Sequence, residues 1–159
     1  NEISNQLGIA KQTVEKYLDL LEKVFIIKKI QALSRNLRKE ITKTHRYYFW
    51  DNGIRNSIIN NFNPLRSRND PGQLWENFMF AERLKTQEYL GIYANNFFWR
   101  TYDQKEIDMV EEREGKLYGY EFKFRSKSKK PPGLWKETYE QAEYKVIDKE
   151  NFLEFLCKK

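Results

Sequence analysis

The pattern of apolar and polar positions predicts a helix, a turn and a second helix at the start of the chain. Gly8 marks the turn, because glycine readily adopts the left-handed conformation in which many helices end. After it, apolar residues recur every three or four positions, as on one face of an α-helix: Val14, Tyr17, Leu18, Leu21 and Phe25. Two strands are predicted next, over 25–30 and 46–50, followed by a short helix that would close this part of the chain.

A stretch of turn-forming residues separates this part from the rest. Residues 63–73 contain two prolines, a glycine and polar side chains, which is typical of a linker. Beyond it the pattern predicts a helix over 73–89, strands over 97–100, 106–110 and 117–124, a helix over 134–142, a strand over 144–147 and a helix over 151–157. The order αβββαβα suits an α+β fold, a mixed sheet flanked by helices. We therefore divide the chain into domains over 1–62 and 74–159, with a linker over 63–73.

Two carboxylates and a lysine are predicted to meet on neighbouring strands of the second domain. Glu121 and Lys123 stand two residues apart on one strand, so their side chains point to the same face. A hairpin through 111–115 would bring Asp108 beside them. Carboxylate oxygens bind Mg²⁺ or Mn²⁺, and a lysine there can orient a water or stabilise charge developing on a phosphate. The pattern is typical of a metal-dependent site for phosphodiester cleavage.

This spacing resembles the PD-(D/E)xK nuclease superfamily, whose members have a restriction-endonuclease-like fold. Members often carry a further acidic residue on the preceding helix, a place that Glu76 takes here. Four segments in order resemble one family, the C-terminal region of prokaryotic AAA-type ATPases: 74–78, 98–101, 106–108 and 120–123. In that family a winged-helix-like segment precedes the nuclease-like domain, and residues 18–23 and 34–40 are similar to it. The resemblance covers almost the whole chain.

The resemblance implies a role for each residue of the cluster. Asp108 and Glu121 would bind Mg²⁺ or Mn²⁺, Glu76 would assist as ligand or base, and Lys123 would act on the water or the phosphate. Plainer interpretations stay open. Glu76 would otherwise be a surface carboxylate or a partner of Arg100, and Lys123 would form only an ion pair. Glu106 is either an acid supporting Asp108 or a solvated strand residue.

Charge favours an anionic partner, above all DNA. The 159 residues carry a formal net charge of +6, with an isoelectric point near 9.2. Candidate contacts to nucleic acid lie on the second helix, in the segment joining the first two strands and just after the site: Lys11, Gln12, Lys16, Arg35, Arg38, Lys39, Lys43, Lys127, Lys129 and Lys130. Two alternatives remain, because winged helices also serve as protein adaptors and a lysine-rich loop is often only solvated.

Other features narrow the class of protein. The single cysteine, Cys157, forms no internal disulfide, and no apolar run is long enough to span a membrane, so a cytoplasmic location is expected. His45 is the only histidine, which argues against histidine-based catalysis or a zinc site.

The family also implies an ATPase domain that these residues do not supply. None of the seven glycines begins the run Gly, four residues, Gly-Lys-Ser or Gly-Lys-Thr that binds ATP phosphates. We read the chain as a fragment and expect ATP to bind only in an absent upstream domain. The leading hypothesis is a metal-dependent nuclease-like part of an AAA-type ATPase that acts on or binds DNA. The alternative is a non-catalytic module of that ATPase, binding DNA or protein.

Overall fold

A computed structural model describes residues 2–35, 40–41, 44–125 and 129–157. These residues form one six-stranded mixed sheet in the spatial order β2-β1-β3-β4-β5-β6. The strands are β1 (Ile27–Ala32), β2 (His45–Phe49), β3 (Asn95–Arg100), β4 (Glu106–Arg113), β5 (Lys116–Phe122) and β6 (Glu143–Ile147). The helices are α1 (Glu2–Leu7), α2 (Lys11–Lys23), α3 (Asn52–Ile58), α4 (Pro71–Leu90), α5 (Gly133–Thr138) and α6 (Phe152–Cys157).

Strands β3, β4 and β5 form an antiparallel meander at the centre of the sheet. The turn from β4 to β5 consists of Glu114 and Gly115, which have φ angles of 50° and 77°. Two consecutive residues with positive φ make the type of turn whose twist matches that of the flanking strands. At the two sides, β6 runs parallel to β5, and β1 runs parallel to β3 and antiparallel to β2.

The predicted α+β order αβββαβα is confirmed, with shifted boundaries and one difference in the sheet. Helix α4 begins at Pro71, inside the predicted linker, and α5 ends at Thr138, four residues earlier than predicted. Strands β1 and β2, predicted for a separate first domain, extend the sheet of the second part through the pairing of Gln31 with Phe97. The division into domains over 1–62 and 74–159 stays a prediction.

Two apolar clusters pack against the sheet. One contains Met79 and Phe80 of α4 and Phe155 of α6, and the other contains Trp135 of α5. A β-carbon added at Gly119 would lie 3.3 Å from Trp135, so this glycine permits the close approach of α5 to β5.

The apolar face predicted for α2 is largely exposed within the described residues. Tyr17 is 61% exposed, Leu21 38% and Phe25 73%, and no residue of α2 is buried. Helical spacing identified the helix correctly, but it does not show whether another element covers the apolar face. No helix in the described ranges is both long enough and apolar enough to span a bilayer.

The segment predicted as a linker is anchored by a buried arginine. Arg68 donates from Nε to Asp70 at 2.7 Å and from Nη2 to Asn56 at 3.1 Å, and it also bonds to the carbonyl of Asn61. Asp70 is held in addition by Arg55 at 2.8 Å. These contacts join the segment before α4 to the end of α3, although the composition of the segment is typical of a mobile connection.

Candidate active site

Asp108 lies at a β-bulge in β4. Phe97 of β3 pairs with Val110, whereas Trp99 pairs with Ile107, so that Asp108 and Met109 together oppose the single residue Phe98. A bulge of this kind changes the direction of the side chains at its position. Asp108 is 5% exposed, and its Oδ2 accepts a hydrogen bond from the backbone N–H of Phe122 at 2.8 Å. The bulge thus holds this carboxylate against the end of β5.

Glu121 lies on that end of β5 and contacts two lysines. Its Oε1 is 2.6 Å from Nζ of Lys123 and 2.5 Å from Nζ of Lys129. The residue is only 1% exposed, and its Oε2 has no hydrogen-bond partner among the described residues. A buried carboxylate oxygen without a partner is unfavourable and unusual. This oxygen is therefore open to a ligand that donates a proton or carries positive charge.

Glu76, on α4, is held by two residues from β2. Its Oε1 accepts from Tyr48 Oη at 2.9 Å and from Arg46 Nη1 at 3.3 Å. The alternative pairing with Arg100 is wrong, because Arg100 lies beside Glu106 at 3.8 Å instead. Glu106 also accepts from Arg46 at 2.6 Å, so it supports the cluster and is not simply a solvated strand residue.

Arg46 and Tyr48 are site residues that the sequence reasoning missed. The pattern assigned them only to a strand of the first domain. Their alternate positions on that strand place both side chains on one face, which was the available signal. The sequence did not indicate that β1 pairs with β3. This pairing brings the face with Arg46 and Tyr48 against Glu76.

The electrostatics show that the three carboxylates act on one another. Burial and the charges of Glu76 and Glu121 raise the pKa of Asp108 to about 7. The hydrogen bond from the N–H of Phe122 and the charge of Lys123 lower this pKa, but their effect is smaller. Desolvation lowers the pKa of Lys123, but contact with Glu121 and the charges of Asp108 and Glu76 outweigh it, and the pKa rises above its usual value. Lys123 is therefore a charged donor at neutral pH.

Tyr144 of β6 is a further neighbour of the cluster. Burial raises the pKa of its hydroxyl, as do the negative charges of Glu121 and Asp108. The oxygen is buried and has no hydrogen-bond partner among the described residues. Tyr144 stays protonated there and can donate a hydrogen bond to a group that enters the site.

Asp108→Asn is expected to remove a pH dependence of stability. Because the pKa of Asp108 in the folded protein, about 7, lies above the ordinary value for an aspartate, about 3.9, the stabilisation is complete below about pH 4 and is lost as the pH rises through 7. At pH 8 the variant should be more stable than the wild type by up to about 4 kcal/mol, and near pH 4 the difference should vanish. Urea denaturation across this pH range measures it, with Asp103→Asn, a change at an exposed aspartate, as control. A variant less stable than the wild type at pH 8 would contradict this account.

The carboxylates of Asp108 and Glu121 suit a magnesium-type ion, which takes only one or two of its ligands from the protein. The described part of the chain has no group of three or more His, Cys, Asp or Glu side chains arranged to hold a metal. Mg²⁺, however, is usually bound through one or two carboxylates and takes its other ligands from water and substrate phosphate. Asp108 and Glu121 provide two carboxylates, and Oε2 of Glu121 is a buried oxygen without a partner among the described residues.

The predicted nucleic-acid contacts lie in different places. Lys129 contacts the acidic cluster through Glu121, whereas Lys11 pairs with Glu15 and Arg35 with Glu112. On α2, Gln12 and Lys16 lie close in sequence to Glu15 and Asp19, so this helix presents mixed charge. Lys130 is exposed. The remaining predicted contacts lie outside the described residues: Arg38, Lys39, Lys43 and Lys127.

Comparison with known proteins places two family models on the chain. Residues 1–65 match a domain of unknown function, DUF8612, and residues 71–152 match another, DUF4143. Both models leave out residues 66–70, which lie within the predicted linker.

The chain is also similar to two longer bacterial proteins. Uncharacterized proteins of Mycobacterium bovis and Mycobacterium tuberculosis are each 25% identical to it over 126 residues, or 77% of the chain. The chain spans only 27% of the length of these relatives. No solved structure matches it significantly. The second family model covers more than half of the chain. The chain therefore belongs to the DUF4143 family, whose domain is found in AAA-ATPase-associated proteins.

Proposed function

We propose that the chain carries a site for metal-dependent cleavage of phosphodiester bonds, with DNA as the substrate. The observation that supports it most is the cluster of Asp108 and Glu121 with Lys123, in which a buried carboxylate oxygen lacks a partner among the described residues. A Mg²⁺ or Mn²⁺ ion bound there would activate water and stabilise negative charge on a phosphate.

The side chains around this pair suit the same chemistry. Lys123 keeps its proton and is 35% exposed, so its ammonium can reach a phosphate oxygen or an attacking water. Glu76 is close enough to affect the pKa of Asp108, and its side chain is 30% exposed. Glu76 would accept a proton from the attacking water, or it would act as a further ligand of the metal. The proposed restriction-endonuclease-like fold and the winged-helix-like first part rest on the family resemblance.

A larger protein is part of this proposal. The relatives are nearly four times as long as the segment they share with the chain, and DUF4143 occurs in AAA-ATPase-associated proteins. We propose that an AAA-type domain elsewhere in the native polypeptide binds ATP and drives or gates action on DNA.

A second candidate function is a non-catalytic module that binds DNA or a partner protein. The observation that favours it is the pairing of the acids. Arg46 contacts Glu76, while Lys123 and Lys129 both contact Glu121. Ion pairs of this kind can maintain a fold without chemistry.

Cleavage assays separate the two candidates. Purified chain with linear double-stranded or single-stranded DNA is expected to cut the DNA with Mg²⁺ or Mn²⁺ and not with a chelator, and Lys123→Met should abolish cutting. DNA binding without cleavage under any metal condition would favour the non-catalytic module.

Binding itself should depend on salt through the lysines beside the site. We expect the affinity for DNA to fall as salt rises, and the slope of log K against log salt to decrease by about 1 for each phosphate contact removed. Lys129→Gln with Lys130→Gln should reduce the slope. A matched control, Lys85→Gln with Lys116→Gln, removes two lysines whose partners, Glu82 and Glu143, lie outside the acidic cluster. If the two double variants have equal slopes, Lys129 and Lys130 do not contact phosphates of the DNA.

A further inference from the structure

Arg46 bridges the carboxylates of the site. One guanidinium nitrogen lies 2.6 Å from Glu106, and the other lies 3.3 Å from Glu76 and 3.8 Å from Asp108. The side chain is 22% exposed, and the guanidinium lies over the ring of Phe98 at 4.8 Å. It thus contacts three acids at once, which a planar guanidinium can do better than a lysine.

Cations already contact the acids of the cluster in the described structure. Arg46 reaches Glu76, Glu106 and Asp108, and Lys123 and Lys129 reach Glu121. A divalent ion that enters between Asp108 and Glu121 is repelled by these positive charges and competes with them for the carboxylate oxygens. Its affinity therefore depends on the resident cations.

The arginine comes from a different part of the chain than the acids do. Arg46 lies within the segment matched by the first family model, and all four acids lie within the segment matched by the second. Its position depends on β2 and on the pairing of β1 with β3. The first segment therefore supplies a cation to a site whose acids all belong to the second.

We propose that Arg46 is a resident counter-ion that competes with the divalent cation, so that the first segment of the chain sets the cation affinity of the site. This inference rests on the proposed function, because it assumes that the acids bind a metal. Removal of the guanidinium leaves the acids with uncompensated negative charge, which favours a cation. A phosphate offers the displaced guanidinium two oxygens to bind, so Arg46 has a place to move to when substrate is present.

The test is the Mn²⁺ affinity of the wild type and of Arg46→Met, measured by calorimetry without nucleic acid. We expect the variant to bind Mn²⁺ more tightly by about tenfold or more. Arg100→Met is the matched control, because Arg100 lies beside Glu106 and, in the part of the chain that the structure describes, forms no ion pair with Asp108 or Glu76. This control should bind Mn²⁺ as the wild type does.

Each possible result either supports or overturns the inference about Arg46. If Arg46→Met is folded and binds Mn²⁺ no more tightly than the wild type, the inference fails while the metal site stands. If no form of the protein binds Mn²⁺, the proposed function fails and the inference with it. Arg46→Gln removes the charge but keeps hydrogen-bond donors for the acids, so it covers the case in which Arg46→Met does not fold. Its Mn²⁺-dependent rise in melting temperature should exceed that of the wild type, and an equal or smaller rise would overturn the inference.

Discussion

Glu121→Gln is expected to lose divalent-cation binding and DNA cleavage by at least about 100-fold. Loss of a group that merely supports a metal ligand already lowers affinity or activity by about 10- to 100-fold, and Glu121 would be a ligand itself. Glutamine keeps the size of the side chain but lacks the negative charge that a Mg²⁺ site needs. Metal-dependent cleavage and Mn²⁺ calorimetry measure the loss.

The same variant should fold as well as the wild type or better. Glu121 is 1% exposed, and its Oε2 has no hydrogen-bond partner among the described residues. Its two lysine partners are 35% and 41% exposed and can be solvated without it, so removing the charge relieves an unfavourable burial. Glu143→Gln is the control, since Glu143 pairs with Lys116 at 2.6 Å on the exposed surface of the neighbouring strand. A Glu121→Gln protein that folds and still cleaves DNA at the wild-type rate would rule out the proposed role.

Arg83→Met is expected to cause the largest loss of stability among the ion-pair variants. Arg83 Nε lies 2.6 Å from Glu111, and the two side chains are 3% and 0% exposed. Removing one partner leaves the carboxylate buried, with Gln87 at 2.8 Å and Arg113 at 3.2 Å as its remaining polar contacts among the described residues. Breaking such a pair lowers the free energy of unfolding by about 3–5 kcal/mol. Urea denaturation at pH 7 measures the change.

Arg35→Met provides the matched control on an exposed pair. Arg35 lies 2.6 Å from Glu112, the residue after Glu111, but its side chain is 51% exposed. Its loss should change the free energy of unfolding by about 0–1 kcal/mol. Adding Glu111→Gln to Arg83→Met should recover part of the stability, because the buried charge is then removed. Equal losses for Arg83→Met and Arg35→Met would show that the buried pair does not stabilise the fold as described.

The elements from α4 to α6 were predictable because their signals are local. Strands β4 and β5 are joined by a two-residue turn, Glu114 and Gly115, so neighbouring segments of sequence become neighbouring strands. The same short connection brings Asp108 to the end of β5, which carries Glu121 and which Lys123 directly follows. The alternation of side chains, continued one residue past β5, then accounts for the contact between Glu121 and Lys123.

The rest of the site depends on contacts between distant residues. The pairing of Gln31 with Phe97 is parallel and joins residues far apart in the chain, and a parallel pairing has no connecting turn that a sequence pattern reveals. Arg46 and Tyr48 reach Glu76 only through this arrangement. The bulge at Asp108 also had no local signal, because it contains neither glycine nor proline.

Lysine contacts were hard to assign for another reason. Lys129 was predicted to contact nucleic acid, and in the structure its ammonium lies against Glu121. A long, flexible lysine can pair with any acid within its reach, so its sequence position does not determine its partner. Sequence charge therefore indicates that the protein is basic, but it does not indicate which lysines are available to a substrate.

The measurement that tests the central claim most directly is a crystal structure of the chain soaked in Mn²⁺, with data collected at a wavelength where manganese scatters anomalously. The account predicts one anomalous peak between the carboxylates of Asp108 and Glu121, with oxygen ligands at about 2.1 Å, the distance for a magnesium-like ion. The peak should be absent from crystals of Glu121→Gln soaked in the same way. Wild-type crystals with no peak at this position, and with Arg46, Lys123 and Lys129 still paired to the acids, would contradict it.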